Sequence, residues 1–502
     1  MGDKEKTIYE YGIFIFRKDL RIVDNRGLIQ LSQHCKKIIP VFIFDPYQVD
    51  LTSGTKNYLS FPALRFICES VKDLNEIIQT QSKSRSKLNI FYGNPVKVLS
   101  YIINELKLNS TNCCLTFNAD FTSYSIKRDR EIKNFCKSNS IQTIICEDDN
   151  TLCYMKLLLK DENKLEPYKQ YGAFKKNMLN NKSKFNKVDT KKIQFADLKK
   201  QMNKTLTYDE INEFYLSHIN ADYKPLEIGS RKLGLSILAN LKNFKDYNTK
   251  RDILSYSTTH LSAYLNFGLV SEREFYWALV AKLGSSTQLI NQVIWREYYL
   301  CLLRYLDKAN SYSSHIDTRY EKIKWVKETP NKNSRAWKEW ELMMSSKTGF
   351  LLVDAAIQEL VHTGFMHNRC RMIVGVFSVK YLGINPLCRY IGLNDWFSRH
   401  LVDCSTSQNK LNTQWVTELD FPGKKFAPSS APIAGRPMNI SNTMIKKWDL
   451  ECVYIKKWLP HLASIDNKIL YGWDTKYNVL VHPKPIFDPK TRYAEWIKSC
   501  ET

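Results

Sequence analysis

No stretch of the 502-residue sequence approaches 18 consecutive apolar residues, so it offers no candidate for a membrane-spanning helix. The opening MGDKEKTIYEYGIFIF sets acids and lysines ahead of a short apolar run, a pattern of neither a signal peptide nor a membrane anchor. Glycines form neither G-x-G-x-x-G after a strand nor G-x-x-x-x-G-K-[ST], which removes the ordinary dinucleotide fingerprint and the P-loop. Of 13 cysteines only Cys113 and Cys114 adjoin; with no CxxC pair and no Cys/His cluster, a zinc site is excluded and reduced thiols of an intracellular protein are expected. Acidic residues are in deficit, 51 against 74 Lys+Arg, a net charge of +23. Such an excess favours a polyanionic partner such as nucleic acid over an acidic metabolite; a solvated lysine-rich surface is the plainer alternative. A soluble protein is expected, with nucleus, cytoplasm and virion undistinguished.

What remains is patterned. At 502 residues and 43% hydrophobic content, the chain predicts two domains, or one large helical domain with a smaller companion. Residues 1–150 alternate apolar strands (YGIFIF, IIPVFIFD, LNIFYG, NCCLTFN, IQTIICED) with amphipathic helices over about 25–35, 62–79 and 95–106. All-apolar strands between helices predict a parallel sheet covered on both faces, hence a doubly wound α/β domain. Residues 151–227 are expected to be a linker: from Lys175 to Lys204 stand ten lysines and two aspartates, which cannot bury much apolar surface. A direct DNA contact is the second reading of that stretch. From 228 to 502 an all-α domain is predicted, with IWREYYLCLLRYL, TGFLLVDAAIQELVHTG, RCRMIVGVFSVKYLG and TMIKKWDLECVYIKKWL each carrying apolar residues at helical spacing.

One segment of that half, TGFMHNRCRMIV (363–374), sets His367, Arg369 and Arg371 among Phe365, Met366, Met372, Ile373 and Val374. A buried guanidinium is costly unless it meets a carboxylate or a charged ligand, so the segment predicts one or the other.

Four phrases, in this order and at this spacing, together resemble the photolyase/cryptochrome family: FIFRKDLRIVDN (14–25) with PVFIFDP (40–46), TTHLSAYLNFG (258–268), IWREYY (294–299) and KTGFLLVDAAIQELVHTGFMHNRCRMIV (347–374). The likeness extends to YIKKWLP (454–460) and HPKPIFDP (482–489). It implies an N-terminal α/β domain, a helical domain holding FAD in a U shape, and a central hole that receives a flipped, damaged base pair.

By that resemblance Tyr247, Thr258, Thr259, Leu261, Ser262, Arg371, Asp403 and Asn409 bind the cofactor. The stretch from Thr258 to Ser262 offers hydroxyls and N–H groups near a predicted helix start, as a diphosphate requires, although TTHLS alone is an ordinary helix cap. Arg371, paired with Asp403, is expected beside the isoalloxazine, where a cation favours the anionic reduced form FADH⁻; an ion pair between two helices is the bland alternative. Asn409 is expected opposite flavin N5, where an amide accepts from N5–H without adding a second negative charge. Trp295 and Trp415 are expected to wall the lesion pocket, where indole stacking is worth roughly 1–3 kcal/mol per base, though tryptophans in helices are more often core. Asn368, Met372 and Gln292 are assigned to the lesion, and Arg251, Arg369 and Arg436 to DNA phosphates.

Two departures from the family pattern stand out. The tryptophan chain that reduces the flavin from the surface falls on Trp325, Tyr390 and Thr413, and a threonine donates no electron; Trp396 or Trp340 would be a detour. Gln292 stands where dimer photolyases usually carry Glu and (6-4) photolyases Gln. The (6-4) chemistry relies on histidines at the places of Asn368 and Met372, and His367, one residue early, would be turned about 100° away on a helix. The implied activity is that of a deoxyribodipyrimidine photo-lyase, a monomer that splits cyclobutane pyrimidine dimers in UV-damaged DNA by light-driven electron transfer from FADH⁻. A (6-4) photolyase and a cryptochrome-type blue-light receptor are the alternatives. A second, antenna chromophore of unknown identity would sit in the α/β domain, if any does.

Overall fold

In the computed structural model the described residues are 8–49, 59–188, 193–198, 222–306, 318–326, 333–388, 391–419 and 438–500, with 202, 209, 210 and 213 between them. Five strands, β1 (Tyr9–Phe16), β2 (Cys35–Phe44), β3 (Asn89–Tyr92), β4 (Cys113–Asn118) and β5 (Gln142–Cys146), form one sheet in the order β3-β2-β1-β4-β5. Every pairing is parallel. The helices α1 (Arg26–Ser32), α2 (Phe61–Gln81), α3 (Pro95–Glu105) and α4 (Ser123–Ser138) alternate with the strands. Each starts where the sequence provides a cap: Asn25, Ser60, Asn94 and Thr122 accept N–H bonds from the first turn, and Pro62 and Pro95 sit in first turns that need no donor. Two separate apolar clusters cover the two faces, one around Phe14, Phe42 and Phe66 and one around Ile13, Val41 and Phe117, which is why the strands lack alternation.

The lysine-rich stretch is more than a solvated connector. Its few apolar residues act as anchors: Phe174, Met178 and Phe185 are wholly buried, and Ile193 and Phe195 are nearly so. Residues 193–196 run beside β2 at Ile38, below the part of β2 that pairs with β3, with Ile38 N donating to Gln194 O and Ala196 N to Ile38 O. Composition averaged over thirty residues hides anchors spaced this widely. Between the sheet and the helical half, Arg21 pairs with Asp149 at 2.8 Å and Arg273 with Asp24 at 2.9 Å, all four fully buried. Backbone carbonyls of Gly268, Asp149 and Thr151 take remaining guanidinium donors, which offsets the desolvation that would otherwise make such pairs unfavourable.

The C-terminal half is helical. IWREYYLCLLRYL lies in the helix Gln288–Tyr305, and LLVDAAIQELVHT is the helix Leu351–Thr363. RCRMIVGV belongs to Asn368–Val376, which continues into a π-helical turn over Phe377–Tyr381. TMIKKWDLECVYIKKWL, expected as one helical stretch, is broken into Ile445–Trp448 and Val453–Trp458. Cys452 takes a left-handed conformation at the break, and the Asp449 carboxylate accepts from the N–H groups of Tyr454 and Ile455 that a continuous helix would have used internally. Among the described residues no helix is long and apolar enough to cross a membrane, and the 13 cysteines are free thiols.

Candidate active site and DNA interface

The helical half encloses a cavity of about 500 Å³, within the size range of cofactor sites. Its lining comes from the short helix Tyr247–Lys250 and the chain that leads from it to Ser262, from the helix Gln288–Tyr305, which packs beside that short helix, from Phe365–Met372, and from Asp403 leading into the helix Thr406–Thr417. Tyr247, Arg251, Thr258, Thr259, Leu261, Ser262, Gln292, Trp295, Asn368, Arg369, Arg371, Met372, Asp403, Asn409 and Trp415 all line this one cavity, although they are spread over 169 positions from 247 to 415. Thr413 lines it too, its Oγ1 bonded to Asn394 Oδ1. Trp325 does not: its ring packs on Trp496 in a separate small cluster, 5.5 Å between centroids. Trp396 is also outside the lining, but its ring lies 5.8 Å from that of Phe397, which is in it. Tyr390 and Arg436 lie outside the described residues.

Local chemistry explains how the Phe365–Met372 part of the lining meets Asp403. Gly364, at the left-handed C-cap of Leu351–Thr363, turns the chain sharply; a Cβ there would lie 2.6 Å from Pro62 Cβ. Its carbonyl accepts from Val402 N, which brings Asp403 opposite Arg371. Arg371 Nη2 pairs with Asp403 Oδ2 at 2.9 Å and Nε donates to Met366 O, so the guanidinium is neutralised and held. Asp403 Oδ1 is buried without a partner among the described residues. Asn368, Arg371 and Met372 fall at i, i+3 and i+4, one face of their helix.

His367 is not on that helix. It is the N-cap, with Nδ1 accepting from Arg369 N, and it lines the cavity beside Asn368, so the 100° rotation expected of a helical neighbour does not apply. That hydrogen bond leaves Nε2 as the N–H, buried and without a partner among the described residues. Burial, together with the charges of Arg369 and Arg371, holds the ring's pKa down to about 4, so it is neutral at neutral pH.

Asn409 Nδ2 donates to Cys404 Sγ at 3.1 Å. Trp295 and Trp415 meet edge to face, 4.7 Å between centroids, and Tyr171 stacks flat on Trp295 at 3.6 Å. Arg251 and Arg369 stand 32% and 21% exposed, and both reach Asp252. Sequence reasoning missed Tyr171, Asp252 and Cys404. Two were legible as neighbours of assigned residues, Asp252 after Arg251 and Cys404 after Asp403; Tyr171 lies in the region 151–227 that was expected to be a linker.

The α/β domain has a second, narrow crevice of about 70 Å³ at the carboxyl ends of β1, β2 and β4, where the strand order reverses. Arg17, Asp19, Asp45 and Asp120 give it charge, and the Tyr47 and Tyr124 rings stack near it with the Tyr124 hydroxyl on Asp45.

Known proteins resemble the chain in sequence and in fold. Residues 13–192 match the family model described as DNA photolyase, and residues 289–502 the FAD binding domain of DNA photolyase. The chain belongs to the photolyase/cryptochrome family. A deoxyribodipyrimidine photo-lyase of Buchnera aphidicola is 27% identical over 94% of this chain and 93% of its own. A (6-4) DNA photolyase of Arabidopsis thaliana is 26% identical over 94% and 84%. The crystal structure of an archaeal photolyase from Sulfolobus tokodaii, which contains two FAD molecules, superposes with a TM-score of 0.77 at 26% identity, covering 98% of this chain and 99% of that one.

FAD is the cofactor of this photolyase/cryptochrome chain. The cavity fits it on the structure's own terms. Among the described residues it offers an unpartnered buried acceptor in Asp403 Oδ1, an unpartnered donor in His367 Nε2, a held cation in Arg371, and the hydroxyls of Thr258, Thr259 and Ser262.

Proposed function

We propose that the protein is a light-driven DNA repair enzyme that splits cyclobutane pyrimidine dimers. One observation carries this reading: a single cavity joins a cradle for a flavin, the indole faces of Trp295 and Trp415, and arginines at 251 and 369 that remain partly exposed. When bound, reduced FAD supplies the light-driven electron that opens the dimer and receives it back.

The chain's own residues do the rest. Tyr247, Thr258, Thr259, Leu261 and Ser262 hold the cofactor from one side, and Arg371 with Asp403 stabilises negative charge on it. Asn409, its amide nitrogen occupied by Cys404, keeps Oδ1 as an acceptor for an N–H of the cofactor. Trp295 and Trp415 replace the stacking that a flipped dimer loses, and Tyr171 keeps Trp295 flat from behind. Asn368, Met372 and Gln292 complete the lesion side, and Arg251, Arg369 and Arg436 take phosphates of the strand that carries the damage.

Gln292 supports a second reading, repair of (6-4) products. Moving an oxygen between bases needs a proton donor, and Asn368 and Met372 have none. His367 lies at the right wall, but as a neutral imidazole it is a hydrogen-bond donor and a poor acid. The dimer reading is therefore preferred. Incubating the reduced holoprotein with single-lesion oligonucleotides under blue light tests it: the dimer is expected to be restored and the (6-4) product left alone, and the reverse result overturns the assignment.

A further inference from the structure

Arg369 is assigned above to a DNA phosphate, yet its donors are engaged within the protein. Nε and Nη2 both reach Asp252 Oδ1, at 2.8 and 2.6 Å, and Nη1 points at Met372 Sδ at 3.0 Å. A phosphate is best gripped by two parallel N–H groups of one guanidinium edge. Asp252 occupies the Nε–Nη2 edge, and one N–H of Nη1 is turned to Met372. The Nε–Nη2 edge of Arg369 is closed to a phosphate while Asp252 stays in place.

The same carboxylate oxygen lies 3.7 Å from Arg251 Nε, so Asp252 stands between the two arginines that line this wall of the cavity. Its side chain is 45% exposed. It is an anion held by two cations at the edge of a cavity in a chain of net charge +23, where a strand phosphate of the same charge would arrive. A half-exposed pair of this kind is weak, because water screens it and takes over its groups when it opens. Exchange with an incoming phosphate therefore costs little, but it is not free.

We propose that Asp252 is an internal competitor for the DNA backbone: its carboxylate occupies the phosphate-binding edge of Arg369 in the free protein and is displaced when the strand docks. The inference rests on the repair reading above. A tethered competitor lowers affinity for substrate and product alike, and it recaptures Arg369 when the repaired strand lifts away, which favours release.

The test is equilibrium binding in the dark, by fluorescence anisotropy, of the FAD-loaded full chain to a duplex carrying one cyclobutane dimer and to its undamaged counterpart. Asp252→Asn, and independently Asp252→Ser, are expected to bind the dimer duplex about fivefold tighter than wild type at the same salt, the scale of one exposed ion pair. In an Arg369→Ala background the same substitutions should give a clearly smaller gain, about twofold or less, since the main competed group is gone and only the 3.7 Å contact with Arg251 remains. Flavin absorbance serves as the folding control. Unchanged or weaker binding by both Asp252 variants overturns the proposal, because Asp252 would then be orienting Arg369 toward DNA. An equal gain with Arg369 removed also overturns it, the effect then being one of bulk charge. If wild type fails to prefer the dimer duplex while the Asp252 gain appears on both duplexes, the competitor stands and the repair reading falls.

Discussion

The amide nitrogen of Asn409 donates to the thiol sulfur of Cys404, five residues before it and next to Asp403. An asparagine side chain is nearly symmetric in shape, and only its hydrogen bonds decide which end faces a ligand. In this structure the amide nitrogen is the end held by Cys404, and under the proposed function the carbonyl oxygen is then the end that accepts from the cofactor's N–H.

Cys404→Ala should therefore loosen the amide and weaken its support of the reduced cofactor. Dark reoxidation of the reduced holoprotein in air is expected to be about two- to fivefold faster, the scale of one neutral hydrogen bond. Cys404→Ser, which restores an acceptor, should behave as wild type. A serine variant as fast as the alanine one would show that the thiol fills space only.

Photoreduction of oxidised flavin should be slow or take an unusual route. Thr413 lines the cavity where an oxidisable ring would be needed, and Trp325 packs away from it against Trp496. Trp396 is better placed, its ring next to that of Phe397, which lines the cavity. Transient absorption is expected to show a tryptophan radical that Trp396→Phe diminishes more than Trp325→Phe does. Repair by protein reduced beforehand should be unaffected by Trp325→Phe. A fast radical abolished by Trp325→Phe alone would contradict this.

For the lesion, Gln292 can donate to a carbonyl oxygen of the dimer and accept from a ring N–H, but it lacks the charge that a glutamate brings to the second bond. Gln292→Glu is expected to bind or split the dimer as well as wild type or better, by up to about 1 kcal/mol, with no gain on (6-4) products. Single-turnover repair yields on both lesions measure it, and a clear loss on the dimer would argue against Gln292 touching it.

Glu297, wholly buried in the helix Gln288–Tyr305, carries a carboxyl raised to about 8 by burial, only partly countered by Arg296. Leu152 N donates to its Oε2. Between about pH 4.5, the ordinary value for an exposed Glu, and pH 8, the folded protein keeps a proton that the unfolded chain has released. Its contribution to stability is thus present at low pH and lost as pH rises through that window, by at most about 1.4 kcal/mol per pH unit. Glu297→Gln carries its hydrogens permanently, so denaturant midpoints of variant and wild type should diverge in the variant's favour from pH 5 to pH 8. Parallel curves would show that the carboxyl is ionised in the folded state.

The strands of the α/β domain and three of its helices were legible in the sequence because an unbroken apolar run has two faces to bury; the helix Ser123–Ser138 was not read, although its cap Thr122, like Asn25, Ser60 and Asn94, serves N–H groups only two or three residues away. The site residues from Tyr247 to Trp415 were legible only through the family phrases, since nothing in their spacing says they meet. Other features were decided by tertiary structure. The break at Asp449–Cys452 depends on a carboxylate finding N–H groups beyond the turn, and apolar periodicity runs straight through it. The linker's anchors depend on the rings of Tyr298 and Tyr276, against which Phe174 and Phe185 pack, and on a free length of β2, neither of which composition can register. The fate of Arg369 depends on Asp252, 117 residues away in sequence. Hydrophobic pattern is written along the chain, whereas the partner of a charge is set by which distant segments the packed core brings within 3 Å, and only the folded molecule contains that distance.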